Sequence, residues 1–362
     1  MKRTATALAA VLLIVGLIVA AGCGRAADQQ DQAEVSNLER MSTEQKVGQL
    51  FMVGFEGTTV TPEIEEMFNT IHPGGVILFG RNIEGEDQLK QLLSDLQDLA
   101  QADGGLPLFV ATDQEGGQIC RITWLNDDTS QSEITDAGQA HDIGLERARG
   151  LKELGINLNL APVLDIGTPG DFLTKYGRTF QGGPQDIGNL GKSVISGQSE
   201  GGILSTAKHF PGYGGIDYDP ENDKVAVVDT VPEFSQFQIA AQADPAFVMT
   251  ANVIYTPIDP ELPFTLSPKG IEFLRRNVDG EYLVISDDLA SKVLKETYTL
   301  GKTVVSAATA GVDVLLISGN QPEDPGNACK AVLDAVKNGE VDEEILDDKV
   351  SRILELKQGI NP

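Results

Sequence analysis

Leu108-Phe109-Val110-Ala111-Thr112 runs straight into Asp113-Gln114-Glu115-Gly116-Gly117. Five apolar or β-branched residues ended by a turn are too few for a helix and fit a strand buried on both faces. What ends the run is not an inert loop but two carboxylates and a Gly-Gly turn. The pattern recurs at residues 48–53, 75–79, 157–161, 203–207, 246–250, 282–286 and 314–317. Behind these runs stand Gly80-Arg81-Asn82, Pro162-Val163-Leu164-Asp165, Lys208-His209, Ala251-Asn252, Asp287-Asp288 and Ser318-Gly319-Asn320. Amphipathic stretches at 86–100, 138–154, 185–200 and 268–277 lie between them, and a periodic tail at 343–357 closes the chain. Ser42-Thr43-Glu44-Gln45 reads as a capping box opening the first helix. Eight strands alternating with helices, without internal repeat or linker, predict one α/β domain over 41–362, a single (β/α)8 TIM-type barrel. In that fold the residues just past each strand converge on one mouth. A rim of carboxylates, Lys, His and Asn costs desolvation unless a polar ligand or water satisfies it, so this rim is the candidate site.

Composition narrows the partners. Acidic residues outnumber basic ones 54 to 27, a net charge of −27. A binder of phosphate backbones needs a basic face, so nucleic acid is excluded as a principal partner. The acidic surface itself favours solubility. Aromatic residues make up 6% of the chain, with Trp124 alone of its kind, which argues against a long aromatic-lined polysaccharide groove. His72, His141 and His209 show no ligand spacing and there is no Cys/His cluster, so neither a metal nor any other cofactor is expected. Cys120 and Cys329 are read as two separate, partly buried thiols.

Residues 1–22 carry Lys2-Arg3, an apolar run over 5–21 and Gly22 before Cys23. That is an export signal rather than part of the fold. Val19-Ala20-Ala21-Gly22-Cys23 resembles a bacterial lipobox, with Ala20 where Leu is more usual. The resemblance implies cleavage before Cys23, lipid on that cysteine, a polar tether over 23–40 and an extracytoplasmic, membrane-anchored protein. A plain signal peptide or a retained single-span anchor are the alternatives.

The rim motifs carry a more specific resemblance. Asp113-Gln114-Glu115-Gly116-Gly117-Gln118-Ile119-Cys120-Arg121, Lys208-His209-Phe210-Pro211-Gly212 and Ser286-Asp287-Asp288-Leu289 are similar, in this order, to motifs of glycoside hydrolase family 3, in its β-N-acetylglucosaminidase branch. Leu160-Ala161-Pro162-Val163-Leu164-Asp165, Gly177-Arg178-Thr179-Phe180 and Met249-Thr250-Ala251-Asn252-Val253 add to it. The resemblance implies a retaining exo-glycosidase acting on terminal β-linked N-acetylhexosamine, with peptidoglycan fragments as an expected source. Asp287 matches the nucleophile, and Asp113, Arg121, Arg178, Lys208 and His209 match residues that grip the sugar. Read from the residues alone, Asp287 could instead cap a helix, a role that Asp288 can fill. Glu115 reads as structural, packed behind the Gly-Gly turn. Lys208 and His209 are neighbours, which in a regular strand face opposite ways, so a strained or cis peptide is expected near 208–210.

The pattern breaks at the acid/base. The branch carries an Asp-x-His pair on a loop after its KHFPG motif. Aligned without gaps, that Asp falls on Asp219 and the His on Glu221, and the His of the usual GHG becomes Tyr213. A carboxylic acid at 221 needs its pKa raised to serve as an acid at neutral pH, and Asp219 next to it is the expected cause. Glu221 is therefore the expected acid/base, on a glycine-hinged loop open without ligand, with Asp219 or Asp217 as the alternatives. A β-glycosidase of altered sugar choice and a non-catalytic sugar-binding lipoprotein remain open as further alternatives.

Overall fold

Eight short strands run parallel in the computed structural model, which describes residues 37–360. They are β1 (Phe51–Val53), β2 (Gly75–Leu78), β3 (Phe109–Thr112), β4 (Leu158–Asn159), β5 (Leu204–Phe210), β6 (Phe247–Thr250), β7 (Leu283–Ser286) and β8 (Leu315–Ile317). Their order in the sheet is β7-β6-β5-β4-β3-β2-β1-β8. The ring closes where Ile285 of β7 bridges Val314, just ahead of β8. Backbone bonds Ser286 N–H to Val314 O and Val314 N–H to Val284 O, each 3.0 Å, make that closure. Every strand residue except Leu204 is buried. Helices outside and side chains inside cover both faces, which is why the runs read as continuous rather than alternating. The expected barrel is the observed one.

The helices are cut to fit. α1 (Thr43–Gln49) carries on through Gly48 and Gln49, where the sequence suggested that the first strand had begun. Gly48 abuts the end of α2 (Pro62–Ile71): a Cβ there would lie 2.0 Å from Ile71 O. α3 (Glu86–Gly104) ends at Gly105, in the left-handed conformation at φ 72°. α4 (Ala137–Glu153) starts at Asp136, whose carboxylate accepts from Gly138 N and Gln139 N. α4 packs on α5 (Pro184–Gly201) at backbone distance, since a Cβ on Gly197 would meet His141 O at 2.2 Å. At the mouth, the loops behind β1 and β8 also touch. A Cβ on Gly54 would lie 2.0 Å from Ser318 O, and this contact brings Arg81 Nη2 within 2.6 Å of the same carbonyl.

Cys120 and Cys329 are separate free thiols as expected, although Cys329 is fully buried rather than partly so. The signal segment, Cys23 and most of the tether lie outside the described residues; residues 37–40 are helical.

Candidate active site

The strand ends converge on a cavity of about 240 Å³ at the C-terminal mouth. Asp113, Glu115, Arg121, Arg178, Lys208, His209, Glu221 and Asp287 all line it. Arg81, Ser318 and Asn320, which the sequence placed behind strands without a role, line it too.

One wall is a lattice of charges. Lys208 Nζ lies 2.8 Å from Asp113 Oδ1 and 2.7 Å from Glu115 Oε1. Arg178 grips Glu115 with two parallel bonds of 2.8 Å. Arg121 Nη2 stands 3.6 Å from Asp113 Oδ2. Burial alone would raise the Asp113 carboxyl, but Lys208 and Arg121 outweigh it and hold it below its usual range. Glu115 is lowered further, Arg178 and Lys208 overcoming its burial. Glu115 is structural, as expected, and what it holds is specific: it is the partner of two cations at the pocket. Asp113 and Glu115 alternate with Gln114, which instead holds the backbone N–H groups of Arg121 and Ile122. Arg121 Nε is buried with no hydrogen-bond partner, a donor left for a ligand.

His209 lines the same cavity. The Lys208–His209 peptide is cis, as is Phe210–Pro211, and both side chains of the pair line the cavity. His209 Nδ1 bonds Asp165 Oδ2 at 2.8 Å, and the backbone N–H of His209 meets the same oxygen at 3.1 Å. Opposite a carboxylate Nδ1 carries the proton, which leaves Nε2 for a ligand. Asp165, fully buried, also accepts from Tyr213 N through Oδ1. The sequence singled out neither Asp165 nor Tyr213 as a site residue.

Asp287 closes the pocket. Its Oδ2 accepts from the Tyr213 phenol at 2.7 Å and its Oδ1 from Asp288 N at 2.9 Å. It caps no helix: α6 (Lys292–Thr297) starts only after Ser291. Nor is Asp288 that cap, as the sequence suggested. Its Oδ2 accepts from Ser318 Oγ at 2.7 Å and its Oδ1 from Ser318 N at 3.0 Å, tying the β7 turn to β8. Burial pushes the Asp288 carboxyl up to about 6.

The loop from 213 to 224 brings Glu221 over Asp287. The charge of Asp287, then burial, then Asp288 push the Glu221 carboxyl well above its ordinary value. The direction is the expected one but the cause is not Asp219. That residue folds back to accept from Glu221 N at 2.9 Å and from Asn222 Nδ2 at 2.8 Å, shaping the turn. Asp217 is exposed. Neither is among the residues lining the cavity. The loop is also closed rather than open. Val293 N bonds Glu221 O at 3.1 Å, and Phe172 N bonds Ile216 O at 2.8 Å.

Residues 42–356 match the model of the glycosyl hydrolase family 3 N terminal domain. A beta-hexosaminidase of Alkalilimnicola ehrlichii is 32% identical over 288 residues, 75% of this chain and 81% of that protein. An uncharacterized secreted glycosyl hydrolase of Arthroderma benhamiae is 29% identical, covering 87% of this chain and 93% of that one. Among solved structures, a family 3 beta-N-acetylglucosaminidase from Paenibacillus superposes with a TM-score of 0.81 at 32% identity. That likeness covers 88% of this chain, which spans 62% of the length of the Paenibacillus protein. The family match leaves almost none of the barrel outside it, and the chain belongs to glycosyl hydrolase family 3 as a bearer of its N-terminal domain.

Proposed function

We propose that the protein is a retaining exo-β-N-acetylglucosaminidase in which Asp287 is the nucleophile and Glu221 the acid/base. One observation carries the proposal: two carboxyls share one small pocket, and the charge of one raises the pKa of the other. That is the division of labour a glycosidase needs. A cavity of about 240 Å³, walled by paired charges, suits one sugar ring rather than a polymer. Asp113, Arg121, Arg178, Lys208 and His209 offer charged donors and acceptors to its hydroxyls, and such bonds are roughly twice as strong as neutral ones.

In the first step an Asp287 oxygen attacks the anomeric carbon. The glycosidic C–O bond breaks and the Glu221 proton passes to the departing oxygen. In the second, Glu221 takes a proton from water, whose oxygen attacks the anomeric carbon and releases Asp287 as carboxylate. Retaining pairs stand about 5 Å apart, with the sugar between them. Glu221 rides on the loop over 213–224, which adjusts as the sugar enters between the two carboxyls. Gly212 and Gly215, at φ 142° and 83°, supply backbone freedom just before it.

A non-catalytic binder has no use for a carboxyl whose pKa the Asp287 charge raises, which is why we favour the enzyme. Peptidoglycan fragments remain the proposed source of the sugar. Lipid modification at Cys23 is proposed from Ala21-Gly22-Cys23, and an extracytoplasmic location agrees with the name of the secreted relative. Labelling with a palmitate analogue marks the wild type and not Cys23→Ser; equal labelling of both refutes the anchor.

The test of the acid/base is selective damage. Glu221→Ala lowers turnover of substrates with poor leaving groups by about 10²–10⁴-fold. Glycosylation by an activated aryl glycoside suffers far less, and azide restores the second step by forming a glycosyl azide. Equal loss on both substrates without azide rescue contradicts the role. If Asp219→Ala instead removes activity while Glu221→Ala keeps it, the proton comes from Asp219.

A further inference from the structure

The Tyr213 hydroxyl sits between two fixed partners. It lies 2.7 Å from Asp287 Oδ2 and 2.9 Å from the backbone N–H of Asn252. An amide N–H only donates, so it fills the acceptor side of the phenol and directs the phenol's one proton to Asp287. The ring is fixed as well. It stands edge-on to His209, with centroids 4.9 Å apart, and its backbone N–H is held by Asp165. The same Asp165 carboxylate holds His209 Nδ1, so one buried group sets both side chains. Burial, then the charges of Asp287 and Glu221, push the phenol well above its ordinary pKa and keep it a neutral donor.

Neighbouring carboxyls do not both ionise, so Asp287 and Glu221 divide one proton. Asp287 receives two donors, the Tyr213 phenol and Asp288 N–H, and donors to the charged form favour it. Glu221 instead meets the charges of Asp287 and Asp288. The remaining titratable and charged groups around the cavity are Asp113, Glu115, Lys208 and His209, with Arg81, Arg121 and Arg178. His209 is held by Asp165, and the charges of Asp113 and Glu115 by Lys208, Arg121 and Arg178. The two donors on Asp287 therefore add to an asymmetry that burial and the Asp288 charge begin at Glu221 and that Arg178 opposes.

We propose that Tyr213 is the positioning residue that decides which carboxyl keeps the proton: its phenol holds Asp287 ionised and aimed, and leaves the acid to Glu221. The proposal rests on the assignment of Asp287 and Glu221 made above.

The experiment follows kcat/KM against pH for an aryl N-acetyl-β-glucosaminide with an activated leaving group. The full chain is compared with Tyr213→Phe, which keeps the ring against His209 and loses the donor alone. The acid limb reports the essential base of the free enzyme. In Tyr213→Phe it moves up by about one pH unit, with roughly tenfold loss below the limb that narrows above it. A uniform loss with unmoved limbs, or no loss, overturns the proposal. Should the phenylalanine variant fail to fold, 3,5-difluorotyrosine placed at 213 replaces it. Its more acidic phenol is a stronger donor, so the limb moves down, and an unmoved limb refutes the role. Mapping the adduct of a 5-fluoro glycoside in the wild type separates the two claims. An adduct away from Asp287 sinks the assignment of the nucleophile, whereas a still limb with the adduct on Asp287 sinks Tyr213 alone.

Discussion

Glu115→Gln removes one charge from the lattice and little else. In the wild type Glu115 and Lys208 are each 2% exposed in the side chain, and Arg178 is 15% exposed. After the change Lys208 keeps Asp113 at 2.8 Å, while Arg178 loses the carboxylate that held it with two bonds. Breaking a buried pair by removing one partner costs about 3–5 kcal/mol, and since glutamine still offers one acceptor oxygen the lower end applies, about 3 kcal/mol. Unfolding entropy near 2.1 cal/mol/K per residue gives a barrel of this size roughly 0.7 kcal/mol per degree, so the midpoint falls by about 4–5 °C. The pH dependence has a definite sign. The Glu115 pKa is held below its ordinary 4.5 by Arg178 and Lys208, against its burial. Its stabilisation is therefore complete above that ordinary value and is lost only as pH falls through the lower, folded value. Scanning calorimetry should show the same gap at pH 7 and pH 5.5, narrowing in stronger acid. A variant as stable as the wild type at pH 7 would refute the claim that Glu115 anchors both cations.

Three further outcomes follow from other parts of the fold. Lys357 is buried under the barrel, with Nζ 2.7 Å from Gln49 Oε1 and over the Phe109 ring, and burial pushes it down to about 7. Between about pH 7 and the ordinary lysine value the unfolded chain holds the extra proton, so stability rises with pH across that window. Lys357→Met flattens that rise in urea midpoints measured from pH 7 to 9.5, and parallel curves contradict it. Gly197→Ala puts a methyl 2.2 Å from His141 O and forces α4 from α5, a cost of about 1–3 kcal/mol that an unchanged melting temperature would rule out. Asp165→Asn cannot accept from His209 Nδ1, His209 N and Tyr213 N as the carboxylate does. Activity on an aryl glycoside falls by about tenfold or more, and undiminished activity argues that His209 and Tyr213 are placed by other contacts.

The barrel was legible because buried parallel strands leave a plain signal, a short apolar run cut off by polar residues. The convergence of Asp113, Lys208, His209 and Asp287 followed from the fold, since each stands just past a strand or at its end. The place of Glu115 is legible too: Asp113 and Glu115 are two apart in an extended segment and share a face. The first strand was begun too early because a glycine and a glutamine in apolar company do not show that a helix is still running. The β7 turn is not legible, because Asp288 bonds across to Ser318 just past β8, thirty residues on, a contact local pattern does not encode. Tyr213 and the closed loop were illegible for the same reason. Their positions depend on Asp165, Asn252 and Val293, which lie far away along the chain.

The account turns on Asp287 as the group that attacks the sugar. The most direct measurement is to inactivate the wild-type protein with a 5-fluoro glycoside, digest it and locate the modified residue by mass spectrometry. The account predicts one covalent glycosyl adduct, on Asp287. An adduct on Glu221, Asp288 or any other carboxylate, or turnover of the reagent with no trapped enzyme, would contradict it.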